Sequence, residues 1–138
     1  MENKELIKII PVISVIFIMV DGVVLTMLKD RWNTVITNVQ NKPLQVNYRY
    51  AFLTYVLLVF GLYYFVYRHI NKESWKYDSM VRGFIFGSVA YGVFDLTNLS
   101  ILSDYDVSIA VIDTLWGGIL SAIVSGSTYY LLQIRNNL

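Results

Sequence analysis

Polar residues fall along this chain in clumps, and between the clumps lie four stretches long and apolar enough to cross a bilayer. The first runs from Leu6 to Leu28, with Lys8 at its polar start and one charge further in, Asp21. The second, about Tyr48 to Tyr67, has no charge in its interior and carries tyrosines near both ends, as headgroup anchors do. The third, about Val81 to Leu102, contains Asp95 and Asn98, and the fourth, about Val107 to Leu132, contains Asp113. At about 1.5 Å of rise per residue, some 20 residues cover a hydrocarbon core of about 30 Å. The apolar residues form continuous runs rather than a single stripe, which is the pattern of helices surrounded by lipid.

The connections carry their own signals. From Lys29 to Asn47 the chain turns polar, yet Trp32, Val35, Ile36 and Val39 keep i, i+3, i+4, i+7 spacing. That spacing predicts a short amphipathic helix at the membrane surface after the first span, or alternatively a lid, with Pro43 as the break before the second span. The loop from Arg68 to Arg82 is basic, and a short connection holding Asp104 and Asp106 precedes the fourth span. Short connections predict an all-α polytopic membrane protein, an antiparallel bundle of four transmembrane helices forming one domain over residues 1–138. Lys4 and Lys8 ahead of an apolar run also fit a cleavable signal. The run's length, its acid at Asp21 and the lack of an A-x-A-like site favour a retained span.

Composition narrows the class further. A hydrophobic fraction of 56% with only 15% charged residues lies outside the range of soluble domains, so the lipid bilayer is the first partner. A net charge of +1, with basic residues scattered at segment ends, argues against a nucleic-acid partner. Without cysteine there is no thiolate nucleophile and no Cys-ligated metal. His69 has no companion ligand for haem or zinc, and no span carries a lysine beyond its first few residues for a retinal Schiff base, so no cofactor and no metal are expected. An even number of spans puts both termini on one side. That side collects Lys4, Lys8, Arg68, Lys72, Lys76, Arg82 and Arg135 against Lys29, Arg31, Lys42 and Arg49 opposite, so the positive-inside rule makes both termini cytoplasmic.

The chemistry is concentrated in the buried acids. Asp21 precedes Leu28 by seven residues, Asp95 precedes Leu102 by seven, and Asp113 follows Val107 by six, which sets all three at roughly 10 Å from one membrane face. A carboxylate at the centre of a membrane helix costs about 2.5–3.5 kcal/mol on insertion scales, so each needs a partner, a proton or a wet cavity. Tyr91, Asp95 and Asn98 share one side of the third helix, and Asp113, Trp116 and Gly117 share one side of the fourth. No Lys or Arg lies in these segments beyond their first few residues to neutralise the acids. A shared proton, a bound cation, or Arg31 or Arg49 reaching in from the loop would do so. The candidate substrate- or ion-binding residues are therefore Asp21, Tyr91, Asp95, Thr97, Asn98, Asp113 and Trp116. Stripes of small residues, Gly117, Ser121 and Ser125 on the fourth helix and Gly83 with Gly87 on the third, predict close helix contact around them, within one chain or between copies.

At these positions the chain resembles an uncharacterised family of small, four-span predicted membrane proteins, over nearly its whole length. The late acid of the first helix is matched by Asp21. A Tyr-Asp-Leu-Thr-Asn motif is matched by Phe94, Asp95, Leu96, Thr97 and Asn98, and an Asp-x-x-Trp-Gly motif by Asp113, Trp116 and Gly117. Phe94 replaces the motif's tyrosine, and Val24 stands where an Asp-x-x-Trp pattern would place a tryptophan, so neither a hydroxyl nor an indole acts at those positions here. The resemblance implies the four-span fold and the site positions, and no activity.

Three functions fit. The first is a proton- or cation-linked carrier or channel-like protein, oligomeric so as to enclose a path, whose ligand is a small ion or polar small molecule. The second is a membrane scaffold or accessory subunit whose acids are interhelical hydrogen-bonding groups. The third, an intramembrane enzyme on a lipid-like substrate, ranks last: paired carboxylates permit acid–base chemistry, but no motif supplies a nucleophile, a phosphate loop or a metal triad, and no catalytic residue is assigned.

Overall fold

A computed structural model describes residues 8–136, with side chains through Ile134. Lys4, the start of the first apolar run at Leu6, and the Arg135 side chain lie outside the described residues. Within them the chain is helical: α1 (Ile10–Gln40), α2 (Tyr48–Gly61, extended by a π-helical turn Leu62–Val66 and a 3₁₀ turn Tyr67–His69), α3 (Trp75–Ile101) and α4 (Val107–Asn136). All four are long and apolar enough to cross a membrane.

Helix α1 starts on Pro11, where a missing N–H costs no helical bond. The amphipathic stretch after the first apolar run is not a separate surface helix. It continues α1 to Gln40, because nothing between Lys29 and Gln40 breaks a helix. The break comes at Asn41, whose φ of 55° is left-handed and whose N–H returns to the Thr37 carbonyl at 2.8 Å, with Pro43 beyond it. Thirty-one residues span about 46 Å, so some 16 Å of α1 stands clear of a 30 Å core. That extension is packed: Val35, flanked by Trp32 and Val39, forms a small core with Tyr105, Ile109 and Ala110 at the α3–α4 connection.

The larger core lies at the other end, where Ile9, Ile13 and Phe17 meet Leu62, Val66, Leu120 and Val124. The widened turn after Gly61 carries Tyr67 inward, so this tyrosine is buried and not at the headgroup boundary expected for it. Its hydroxyl donates to the Val124 carbonyl at 3.1 Å, as a buried phenol must find an acceptor. Helix α3 begins two turns before its apolar run, its polar start held by Asp78, which accepts from the Asn71 N–H and from Arg82 Nε, both at 2.8 Å.

The closest helix pair is α3 with α4. Gly83 lies on Ser121 and Ser125, Gly87 on Gly117 and Ser121, and Gly92 on Thr114, so contacts run in opposite order along the two helices. Small residues allow this approach of backbones in lipid. Most other large apolar side chains, among them Met19, Met27, Leu57, Val93 and Leu96, face outward, a surface suited to acyl chains and not to water.

Candidate functional site

Each buried acid is carried by a different helix, and each sits where helical spacing turns it toward the others. Asp21 is 5% exposed on α1, Asp95 is 1% exposed on α3, and Asp113 is 9% exposed on α4. Asp21 Oδ2 accepts from the Tyr55 hydroxyl at 2.6 Å and Oδ1 from Trp116 Nε1 at 3.0 Å, so one carboxyl ties α1 to both α2 and α4. Asp95 Oδ1 accepts from the Tyr105 hydroxyl at 2.9 Å and Oδ2 from Thr114 Oγ1 at 3.1 Å. Tyr105 lies in the loop, where burial foremost, and then the neighbouring Asp95 carboxyl, push its phenol well above the usual range; it therefore stays a donor.

Asp113 is held differently. No N–H or O–H donor other than the neighbouring Asp95 carboxyl reaches it among the described residues, and it lies between Asp95 and Asp21. It also lines a cavity of about 550 Å³ that opens between α1 and α2, together with Asp21, Tyr55, Tyr91 and Phe94. The cavity's other walls are mainly apolar, from Leu25, Ile36, Val46 and Leu58, with Trp32 and Lys29 toward the loop end.

The structure thus brings Asp21, Tyr91, Asp95, Asp113 and Trp116 together. Tyr91 is half-buried with its ring pressed on Gly117. Asn98 sits beside the cluster, near the Tyr105 hydroxyl. Thr97 is not brought in. It is exposed on the opposite side of α3, because two residues along a helix turn about 200° from Asp95. Neither Arg31 nor Arg49 neutralises an acid of this cluster: Arg31 Nη2 donates to Ser108 Oγ at 2.7 Å, and Arg49 is exposed beside Gln45 and Tyr48. Among the described residues the one ion pair, Arg82 with Asp78, lies at the far end of α3. Nor are three or more His, Cys, Asp or Glu side chains there placed to hold a metal ion.

Three partners escape sequence reasoning: Tyr55, Tyr105 and Thr114. Thr114 adjoins Asp113 inside the Asp-x-x-Trp-Gly motif, which is a signal of sorts. Tyr55 is one of several tyrosines on α2, and Tyr105 is a loop residue, so neither stands out before the helices are packed.

Four spanning helices, lipid-facing side chains and acids joined across three helices define a small integral membrane protein. The chain belongs to the family described as "Predicted membrane protein (DUF2177)", whose model matches residues 6–130. No curated protein and no solved structure matches it.

Proposed function

We propose that this protein is a small membrane carrier in which Asp113 exchanges a proton for a cationic ligand reaching it through the cavity. The observation that carries this reading is the contrast among the acids. Asp21 and Asp95 each accept two hydrogen bonds from groups that cannot ionise to cations, whereas Asp113 is nearly as buried, lines the cavity, and accepts no hydrogen bond from an N–H, phenol or alcohol among the described residues. A buried carboxyl with no protein donor is stabilised by a proton or by a cation from outside. The same contrast gives the scaffold reading a share: Asp21 and Asp95 brace α1, α2, α3 and α4 and set the position of Asp113. A second copy packed over the cavity's open side would enclose a path, and cytoplasmic termini would put the acids near the outer leaflet.

Proteoliposomes test this. With a cation of the panel present, purified protein should exchange that cation for protons, a flux that follows the imposed pH gradient and disappears in Asp113→Asn, whose amide can donate to Asp95 and so preserve the packing. Wild-type vesicles that match empty ones over a panel of ions and organic cations overturn the carrier reading.

A further inference from the structure

We infer that the ligand of this cavity is an organic ammonium carried on an apolar body; this rests on the carrier reading for its transport, though its binding can be measured alone. Three features of one cavity select that chemistry. Its deep end is the Asp113 carboxyl, 9% exposed and without a donor among the described residues other than a neighbouring acid. Its walls are apolar, and a volume of about 550 Å³ lies within the roughly 300–1,000 Å³ typical of small-molecule sites. Four of its lining residues are aromatic, Trp32, Tyr55, Tyr91 and Phe94, and aromatic rings attract cations.

The alternatives fit less well. A bare proton needs no cavity of this size. A metal ion finds no set of three or more ligating side chains among the described residues. An anionic amphiphile would meet Asp21 and Asp113 at the deep end, and a neutral acyl chain would fill the walls while leaving Asp113 unpaired. Lys29, the one cationic side chain on the cavity wall, is eight residues along α1 from Asp21, about 12 Å toward the loop end, and makes no ion pair with the acids. It leaves the deep end to an incoming ammonium.

The test uses three ligands on one skeleton: 4-phenylbutylammonium, 4-phenylbutanol and 4-phenylbutyrate, titrated against the full chain in phosphatidylcholine nanodiscs. Tryptophan emission is the readout, since Trp32 lines the cavity and Trp116 holds Asp21. The ammonium is expected to bind about tenfold or more tightly than the alcohol, with the carboxylate weakest. Asp113→Asn should remove that preference, and Asp113→Glu should keep it. Leu58→Trp, which fills the wall, should weaken all three ligands together. Equal binding of alcohol and ammonium overturns the inference and marks the cavity as a lipid groove, and an ammonium preference that survives in Asp113→Asn overturns it because the charge is then read by another group. Ammonium binding without pH-dependent flux in vesicles supports the ligand class and sinks the carrier; flux without ammonium preference does the reverse.

Discussion

Placing an alanine at Gly83 tests the α3–α4 contact on which the acid cluster depends. A Cβ built there lies 2.5 Å from the Ser121 carbonyl oxygen and 2.9 Å from the Ser121 carbonyl carbon, both of them backbone atoms that no rotamer change can move. Reaching the 3.4 Å at which ordinary contact begins requires the helices to part by about 0.9 Å at this level. Overpacking costs about 1–3 kcal/mol, and a clash with backbone atoms puts this site at about 2–3; set against a gain of about 1 kcal/mol for alanine over glycine in a helix, Gly83→Ala should lose roughly 1–2 kcal/mol. Gly22→Ala is the internal control: nothing lies within 4 Å of its Cβ, so it should be neutral or gain up to about 1 kcal/mol. Gly126→Ala falls between, because its nearest neighbour is the flexible Met80 side chain at 3.1 Å. Reversible unfolding in mixed micelles ranks the three. Gly83→Ala as stable as wild type, or Gly22→Ala equally damaged, would refute the packing argument.

Further predictions concern the acids and their partners. Trp116→Phe leaves one oxygen of Asp21 without its donor inside the bundle and should lower stability by about 1–3 kcal/mol, with Tyr55→Phe similar and the double variant short of the sum; unfolding midpoints decide it. Thr97→Val should leave both ligand binding and stability unchanged, since Thr97 faces away from the cluster, and a loss of binding in the nanodisc titration would return it to the site. Asp106 caps α4, and bonds from the Ser108 hydroxyl and from the Ile109 and Ser108 N–H groups, with Arg31 contributing, hold its carboxyl below the usual range. Its stabilising effect is therefore complete above the ordinary carboxyl value of about 4 and is lost as pH falls through the lowered folded value. Thermal midpoints measured from pH 6 down to 2 should fall less steeply in Asp106→Asn than in wild type; parallel profiles would contradict the cap.

The four spans were legible because long apolar runs admit few alternatives, and the acids because a charge inside such a run stands out against its surroundings. Helical spacing also ordered Asp95 with Tyr91, and Asp113 with Trp116. What spacing gave it could also have withheld: Thr97 entered the candidate set by adjacency in a motif, though its angle from Asp95 places it on the lipid side. The length of α1 is hidden because its apolar run ends at Leu28 while the helix goes on to Gln40. Polarity ends a span and not a helix, and only Asn41 and Pro43 stop this one. The π-helical turn after Gly61, the Phe86 ring seated on that glycine, and the burial of Tyr67 just beyond are tertiary features that no local pattern encodes. The unequal hydrogen bonding of the three acids is equally out of reach, since it turns on Tyr55, Tyr105 and Thr114 arriving from elsewhere in the chain.

The uninterrupted run of α1 beyond the membrane has a mechanical meaning. A helix without a proline or a bulge between Asp21 and Trp32 has no hinge there, so the two ends of that segment move as one rod about 16 Å long. Its outer end is fastened to the α3–α4 connection through Val35, Tyr105 and the Arg31–Ser108 bond, and its inner end to α2 and α4 through Asp21. Any tilt imposed at the water-facing end must therefore change the spacing of the acids, and any change at the acids must be felt in the loop outside.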